Sequence, residues 1–245
     1  MHALRKGRYL ARFASGAADL AAAQALRAKA FSRDQPDGDR FDPLCDHVLI
    51  QTQENALPLC CFRLMPLKSG RDLGQSYSAQ FYDLDALQSF GGAMLELGRF
   101  CVRPGLFDAD ILRLAFAMVT QVVDARDARL LFGCSSFAGT DPSAHADAFG
   151  LLQRDHLAPA EWAPVAKARE TVPLIARDFE RDTALRAMPP LLRSYLSMGG
   201  WVSDHAVVDR DLNTLHVFTG VQISAIPSAR AETLRAVAGL NQGSN

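Results

Sequence analysis

The sequence predicts an α/β (α+β) protein with a mixed central β-sheet and helices on both faces of that sheet. Segments typical of strands alternate with segments typical of helices, and two strand segments follow one another near the end of the chain. Hydrophobic residues make up 49% of the 245 residues and charged residues 22%, which suits a globular protein with a sizeable core. No flexible linker separates two halves, so we expect residues 1–245 to form a single domain.

The first half is predicted to contain four strands and two helices. The strand segments are short and apolar, with turn-forming residues between them. The helical segments repeat apolar residues every three or four positions, and Asp108 or Asp110 is placed to cap the second helix. The predicted strands are 9–14, 47–51, 57–64 and 95–102, and the predicted helices are 19–31 and a segment around 111–122. Residues 32–43 between them are polar and predict a loop.

The second half is predicted to close the sheet with a pair of strands. Asp141-Pro142 and Pro189-Pro190 each open a helix with proline near its favoured first position, and the second of these helices ends near Gly199-Gly200. The predicted strands are 130–134, 201–208 and 214–221, and residues 230–240 form a terminal helix.

The composition argues against several classes of protein. The formal net charge is -1, from 26 basic and 27 acidic residues, so no overall attraction to nucleic acid is expected. The five cysteines contain no C-x-x-C pair and most lie in apolar stretches, which predicts reduced thiols and no metal site. The sequence shows neither a secretory signal nor a bilayer span, which predicts a cytoplasmic protein that meets a membrane only from its surface.

Two opposite charges lie within the apolar strand 95–102. Burying Glu96 or Arg99 without a partner costs several kcal/mol, so each is expected to be paired or functional. One interpretation is a structural ion pair with Arg63, whose own strand is also apolar. The other is a functional pair, because a β-bulge near Gly98 would bring both side chains to one face and free a backbone N–H.

A resemblance to known enzymes rests on several segments taken together. The first half resembles the conserved set of the acyl-homoserine-lactone synthases and of the ornithine acyl-carrier-protein N-acyltransferases, which share the GNAT acyltransferase fold. The residues that carry this resemblance are 26–31, Asp42 and Asp46, Arg63, and Glu96-Leu97-Gly98-Arg99.

The second half resembles the ornithine-lipid enzymes alone. The segments are F-G-C-S-S-F-A-G-T-D-P at 132–142, the proline-rich stretch 188–199, and Ala206-Val207-Val208-Asp209. The resemblance extends over about residues 7–221, followed by a C-terminal helix and tail at 228–245. It implies transfer of a 3-hydroxyacyl group from acyl carrier protein to the α-amine of ornithine, which gives a lyso-lipid.

The resemblance also implies roles for individual residues. Glu96 would be the general base, with Arg63 and Arg99 orienting it and holding the amino acid carboxylate. The expected substrate-binding residues are Arg27, Phe31, Asp42 and Asp46, and the expected acyl-donor-binding residues are Arg103, Phe100, Cys101 and Ser135. No bound cofactor is implied, since the acyl group arrives on the phosphopantetheine of acyl carrier protein. The stretch 103–110 has one glycine and two aspartates, a poor match to a coenzyme A pyrophosphate loop.

Other interpretations stay open at this point. The acylated amino acid is ornithine by resemblance, with glutamine or another amino acid as alternatives. A lactone synthase using S-adenosylmethionine is a second alternative, and a non-catalytic module that binds carrier protein or membrane is a third. Lys68 with Arg71, or the basic run 5–12, is either a docking surface for the acidic carrier protein or an ordinary solvated surface. The product is expected to leave through the inner face of the cytoplasmic membrane.

Overall fold

The computed structural model describes residues 1–106 and 108–240. The chain divides into two compact units. Unit 1 contains Met1–Pro66, Leu95–Ala128 and the described part of Ser228–Asn245, and unit 2 contains Leu67–Met94 and Arg129–Pro227. Residues 241–245 of the predicted C-terminal tail lie outside the described residues.

The described chain alternates strands with helices. In chain order the strands are β1 Leu4–Lys6, β2 Tyr9–Phe13, β3 Asp46–Thr52, β4 Cys60–Leu67, β5 Tyr82–Asp83, β6 Ala93–Val102, β7 Ala128–Ala138, β8 Val165–Ala166, β9 Thr171–Pro173, β10 Trp201–Asp209 and β11 Thr214–Gln222. The α-helices are α1 Ala17–Ala30, α2 Ala109–Ala125, α3 Ala146–Asp155, α4 Arg181–Ala187, α5 Pro190–Leu196 and α6 Ser228–Val237.

Unit 1 is built on strands β1, β2, β3 and β4, which pair in antiparallel order, with β6 beside β4. Residues 47–51 of β3 are all buried, the polar His47 and Gln51 included. Helix α1 packs Ala23 and Leu26 against Leu49 of β3 and Cys61 of β4. Helix α2 packs against β1, β2 and β3, and α6 packs on α2. The structure selects Asp108 as the cap of α2, since its carboxylate accepts the Asp110 N–H at 2.9 Å.

Unit 2 contains the antiparallel order β7, β11, β10, β9 and a separate antiparallel pair of β5 and β8. Alternate residues of these strands, among them Phe137 of β7 and Leu215 and Val217 of β11, pack in one apolar core with residues of α3, α4 and α5. Asp141 caps a short 3-10 turn, Pro142–His145, which leads into α3.

The structure confirms the predicted α/β class and adds elements that the sequence analysis missed. Strands β1 and β9 lie at the edges of their units and are three residues long. Both are short, and β1 carries Arg5 and Lys6, so neither shows the apolar alternation that predicts a strand. Helix α4 was missed because it is polar, with Ala184 its buried residue. Within the described ranges, no helix is long and apolar enough to cross a membrane.

Candidate active site

Strand β6 brings two charged residues into the interior of unit 1. Glu96 is 4% exposed. The backbone of Arg99 has a φ of 53°, in the left-handed region that non-glycine residues avoid at a cost of about 1–2 kcal/mol. Such a conformation persists where the surrounding contacts hold it. The strand is therefore irregular directly after Gly98, where the sequence predicts a bulge.

The loop between α1 and β3 supplies three aspartates that point at three arginines. Each arginine comes from a different element: α1, β4 and β6. Each bridges two of the aspartates, and each aspartate bridges at least two arginines, so six side chains close into a ring. We call this arrangement the charged ring, and its members are Arg27, Asp37, Asp39, Asp42, Arg63 and Arg99. Asp37 also pairs with Arg33 at 3.3 Å, outside the ring.

Arg27 forms the most buried part of the charged ring. Its two terminal nitrogens donate to the two oxygens of Asp42, both at 2.9 Å, and its Nε donates to Asp37 Oδ2 at 3.0 Å. One terminal nitrogen also donates to the Asp37 carbonyl oxygen. Gln24, one turn earlier on α1, donates to Asp42 Oδ2 at 3.0 Å. This forked geometry fixes both aspartates more firmly than a single point charge would.

Arg63 and Arg99 complete the charged ring. Arg63 donates to the two oxygens of Asp39 at 2.5 and 2.9 Å and to Asp42 Oδ1 at 2.6 Å. Arg99 donates to Asp39 Oδ2 at 3.1 Å, and its Nε lies 2.9 Å from Asp37 Oδ2. These two contacts tie the irregular part of β6 to the loop, which supplies the restraint that the left-handed backbone of Arg99 requires.

The charged ring keeps its members ionised. Burial by itself raises the pKa of Asp42, but the hydrogen bonds from Arg27, Gln24 and Arg63 more than offset burial and hold this pKa well below its usual value. The pKa of Asp39 is also lowered, with burial again opposing the hydrogen bond and charge of Arg63. For Arg63, burial lowers the pKa and the two aspartates raise it, with a net increase. These three groups therefore stay charged at neutral pH.

One edge of the charged ring reaches solvent. The Asp39 side chain is 20% exposed and the Arg99 side chain 10%, whereas the other four side chains are exposed by 3% or less. A ligand that approaches unit 1 from solvent therefore meets an adjacent carboxylate and guanidinium. Such a pair is complementary to a molecule that carries both an ammonium and a carboxylate group.

Comparison with known proteins identifies the family. Residues 22–116 match the model of the acetyltransferase (GNAT) domain. The L-ornithine N(alpha)-acyltransferase of Rhodobacter capsulatus is 32% identical over 242 residues, which cover 91% of this chain and 93% of that protein. The chain belongs to the L-ornithine N(alpha)-acyltransferase family. The family member from Brucella abortus is 31% identical over 250 residues, which cover 91% of this chain and 88% of that protein.

A solved structure supports the fold. The structure of FeeM, an N-acyl amino acid synthase from uncultured soil microbes, aligns with a TM-score of 0.51 at 10% identity, covering 89% of this chain and 92% of that chain. At this identity the likeness bears on the fold alone. The chain is thus an N-acyltransferase of GNAT fold, and the matched segment 22–116 contains Glu96 and the whole charged ring.

Four residues that the sequence analysis singled out meet in the charged ring of this acyltransferase: Arg27, Asp42, Arg63 and Arg99. Phe31 ends α1 next to them, with its ring centroid 6.0 Å from the guanidinium carbon of Arg99. Glu96 lies close enough to Cys45 for its charge to help raise the pKa of that thiol to about 12, where burial is the main cause.

Asp46 lies outside the charged ring. Its carboxylate accepts a hydrogen bond from Arg126 at 2.6 Å, with the Asp46 side chain 32% exposed. Its neighbour His47 turns inward, and His47 Nε2 lies 2.9 Å from the carbonyl oxygen of Asp42. A role for Asp46 in binding the amino acid gains no support from this position.

Asp37 and Asp39 are the members of the charged ring that the sequence analysis did not single out. The available signal was the acidic character of the loop Asp37-Gly38-Asp39-Arg40-Phe41-Asp42. Loop residues have no periodicity that fixes the direction of a side chain. For this reason, the sequence alone does not show which of these aspartates pair with the buried arginines.

Three of the predicted donor-binding residues lie on or directly after the second half of β6. The ring of Phe100 stacks on Phe62 with centroids 5.6 Å apart. Cys101 is buried, with its Sγ 3.5 Å from Cys61 Sγ, and this contact together with burial raises the pKa of the Cys61 thiol. Arg103 is exposed and donates to the Pro58 carbonyl oxygen at 3.1 Å. Exposure of Arg103 leaves its guanidinium accessible to an anionic group.

Ser135, the fourth predicted donor-binding residue, belongs to unit 2. It lies in β7 and is 5% exposed. Thr219 on the neighbouring strand β11 donates from its hydroxyl to Ser135 Oγ at 2.9 Å. A hydroxyl pair of this kind satisfies itself locally, and β7 has no nucleophile-elbow pattern at this position.

The two basic surfaces proposed for carrier-protein docking differ in how they are neutralised. Three cations of the N-terminal run have acidic partners: Lys6–Asp110 at 3.9 Å, Arg8–Asp108 at 3.7 Å and Arg12–Asp19 at 2.5 Å. Lys68 and Arg71 of unit 2 are exposed, and neither forms an ion pair with any residue of the described ranges. The second surface therefore keeps more of its positive charge.

Proposed function

We propose that this acyltransferase moves a 3-hydroxy fatty acyl group from acyl carrier protein to the α-amino group of ornithine, which gives a lyso-ornithine lipid. The relatives that cover most of the chain are named for acylation of this amino acid at this nitrogen. The structural observation that carries the proposal is the solvent-reaching edge of the charged ring, Asp39 and Arg99, on a unit that also buries Glu96.

The charges of ornithine match this edge. Ornithine carries one carboxylate and two ammonium groups. The planar guanidinium of Arg99 suits the carboxylate, and the partly exposed carboxylate of Asp39 suits the side-chain ammonium. Arg63 is engaged with Asp39 and Asp42, so in this proposal it positions Asp39 and does not bind the substrate directly. Phe31 and Arg27 support Arg99 and Asp42 from α1.

Glu96 acts as the general base in the proposed mechanism. It removes a proton from the α-ammonium of ornithine through a water molecule, and the freed amine attacks the thioester carbonyl carbon. The attack forms the C–N bond and a tetrahedral intermediate, whose collapse breaks the C–S bond, and the leaving pantetheine thiolate takes up the proton that the newly acylated nitrogen loses. A backbone N–H at the irregular part of β6, next to Arg99, stabilises the negative oxygen of the tetrahedral intermediate.

Acyl carrier protein is the proposed donor because residues 103–110 contain one glycine and two aspartates, a poor cradle for coenzyme A. In unit 1, Arg103 is the proposed partner of the pantetheine phosphate, and Phe100 and Cys101 are proposed to contact the donor. A donor-binding role for Ser135 of unit 2 stays a prediction. Lys68 and Arg71 suit an acidic carrier protein.

We further propose that residues 1–245 act as one catalytic domain in the cytoplasm. A lyso-lipid product carries a long apolar chain, and transferring that chain from water to a membrane is strongly favourable. We predict that the protein binds peripherally to the inner face of the cytoplasmic membrane and releases the lyso-lipid there.

A thiol-release assay tests the proposal. The purified chain is incubated with 3-hydroxyhexadecanoyl carrier protein and each amino acid in turn, and the product is weighed by mass spectrometry. We expect thiol release with ornithine, lowered by about 10²–10⁴-fold in Glu96→Gln. Glu54→Gln makes the same chemical change at an exposed position and should retain wild-type activity.

Other outcomes identify the alternatives. Release with glutamine in place of ornithine would replace the acceptor and keep the mechanism. Methylthioadenosine formed from S-adenosylmethionine would indicate a lactone synthase. Binding of carrier protein without thiol release for any amino acid would indicate a non-catalytic carrier-binding or membrane-binding module.

A further inference from the structure

Unit 2 contains a second group of buried polar side chains, on the other face of its sheet. Leu215 and Val217 of β11 face the apolar core with residues of α3, α4 and α5, so His216 and Phe218 face the opposite side. On that side the Tyr82 ring lies 5.7 Å from His216, 5.3 Å from His205 and 5.6 Å from Phe218 between ring centroids. The Phe81 ring lies 5.0 Å from His216. We call these five residues the aromatic layer.

The hydrogen bonds of Tyr82 define the tautomer of His216. The Tyr82 hydroxyl has one proton, and it donates this proton to the His216 carbonyl oxygen at 2.8 Å. The same hydroxyl lies 3.1 Å from His216 Nδ1, and with its proton on the carbonyl oxygen we assign the N–H of this contact to Nδ1. The neutral imidazole then carries its lone pair on Nε2. Burial, with repulsion from His205, lowers the pKa of His216 to about 4, which keeps the ring neutral.

His216 Nε2 is therefore an acceptor without a donor. The residue is 2% exposed, and Nε2 has no hydrogen-bond partner among residues 1–106 and 108–240. His205 repeats the pattern, since its Nδ1 contacts Asp204 at 2.7 Å while its buried Nε2 has no partner within the same residues. A buried acceptor left unsatisfied costs about 1–3 kcal/mol, so such atoms call for an explanation.

The surroundings of these atoms indicate the kind of ligand. Aromatic rings favour an apolar chain, and a lone imidazole acceptor favours one neutral donor on that chain. An ammonium group would require a carboxylate for compensation, and Asp204, which contacts the layer at His205 Nδ1, is largely exposed and engaged there. His216 pairs with Ser136 of β7, whereas Ser135 pairs with Val217 and therefore lies on the opposite face of the sheet. A hydroxyl group on an acyl chain satisfies these conditions.

We propose that the aromatic layer binds the acyl chain of the donor and that His216 Nε2 accepts a hydrogen bond from a hydroxyl group on that chain. His216 is then a residue that determines specificity for hydroxylated donors. The inference rests on the proposed function, because it takes the acyl group to be the apolar ligand of this enzyme. The Tyr82 hydroxyl acts as a positioning group that fixes the tautomer of His216.

A comparison of two donors tests this assignment. The kcat/KM for ornithine acylation is measured with 3-hydroxyhexadecanoyl carrier protein and with hexadecanoyl carrier protein. We expect the wild type to prefer the hydroxylated donor by about tenfold or more, as a buried hydrogen bond would give. In His216→Phe the ring remains and the acceptor is lost, so the efficiencies with the two donors should become equal.

His145→Phe is the matched control. His145 also lies in unit 2 against an aromatic ring, with the Phe137 centroid at 5.0 Å, and its Nε2 contacts the Ala138 carbonyl oxygen. This variant should keep the wild-type preference. Thermal unfolding shows whether each variant is folded. Should His216→Phe fail to fold, 15N-histidine NMR of the wild type decides, since the hydroxylated donor alone should shift the His216 Nε2 resonance.

Each contrary result has a distinct meaning. A preference that persists in His216→Phe, or a resonance that responds equally to both donors, overturns the role of His216 while leaving the acyltransferase activity in place. An equal loss with both donors indicates a structural role and also overturns it. A folded wild type that releases no thiol with either donor overturns the proposed function itself.

Discussion

The two units bury polar side chains in opposite ways. In unit 1 the charged ring satisfies itself, because every arginine of the ring bridges two aspartates and every aspartate of the ring bridges at least two arginines. In unit 2 the aromatic layer leaves the Nε2 atoms of His205 and His216 without partners in the described part of the chain. A self-satisfied network fixes geometry, and an unsatisfied acceptor is available to a ligand.

The pKa shifts follow the same division. In the charged ring the opposite charges overcome burial and lower the pKa of Asp42, so the carboxylate stays ionised. In the aromatic layer burial dominates, and it lowers the pKa of His216 while raising that of Tyr82, so both rings stay neutral. Partner charges, and not the degree of burial, therefore decide whether these buried groups are ionised.

The largest expected effect is on the charged ring. Asp42→Asn removes one carboxylate from between Arg27 and Arg63, which leaves buried positive charge without compensation. We expect the free energy of unfolding to fall by about 3–5 kcal/mol. Urea unfolding at neutral pH measures this change.

Asp46→Asn is the matched control for that experiment. It makes the same substitution four residues away, where the pair with Arg126 is about one-third exposed. Exposed pairs contribute about 0–1 kcal/mol, so little change is expected. If both variants lost the same free energy of unfolding, Asp42 would contribute no more than the partly exposed pair of Asp46. That result would contradict the closed ring.

A smaller effect is expected from the pH dependence of the aromatic layer. In the unfolded chain a histidine titrates near pH 6.5, whereas His216 in the folded chain has a pKa of about 4. Because the folded-state pKa is lower, the unfolded chain binds more protons between these values, so stability is complete above about pH 6.5 and declines as the pH falls toward 4.

We expect this single residue to remove about 2 kcal/mol of stability between pH 8 and pH 5. The difference in unfolding free energy between wild type and His216→Phe, measured by urea unfolding across that range, isolates the contribution. The pH range stays above the titration of ordinary carboxylates. A difference that does not vary with pH would show that His216 has the same pKa in the folded and unfolded chain, which contradicts its burial as a neutral ring.

The smallest expected effect compares the two basic surfaces. Reversing both charges of Lys68 and Arg71 to glutamate should raise the KM for acyl carrier protein severalfold, because these cations have no acidic partners within the described ranges. The reversal of Arg5 and Lys6 should have less effect, because the N-terminal run already lies beside carboxylates. Steady-state kinetics at low salt measures both. A larger effect from the N-terminal pair would move the docking surface to unit 1.

Local pattern predicted most elements. The pair β10 and β11 was predicted to within a residue at each end, since both strands are apolar and bounded by turn residues. The start of α2 followed from the aspartates before its apolar face. The start of β4 was placed three residues too early, because Leu57, Pro58 and Leu59 are apolar and yet precede the strand.

The members of the charged ring were predicted in part. Glu96, Arg99 and Arg63 were recognisable because a charge inside an apolar strand is costly and is kept for a reason. The aspartates that pair with these residues were not recognisable from the sequence, because a polar loop tolerates carboxylates at many positions. The sequence did not predict the aromatic layer either. Tyr82 lies 134 residues before His216, and no local pattern shows that the two side chains meet.

The sequence by itself determined the α/β class, most helices and strands, and the burial of charge on β6, because these depend on short-range periodicity and on the cost of desolvation. The tertiary structure decided that Asp39 and not Asp46 joins the charged ring, that the N-terminal cations are neutralised, and that two imidazoles share one face of unit 2. The physical reason is that ion pairing and hydrogen bonding act over a few ångströms. Which groups come within that distance is set by the path of the whole chain.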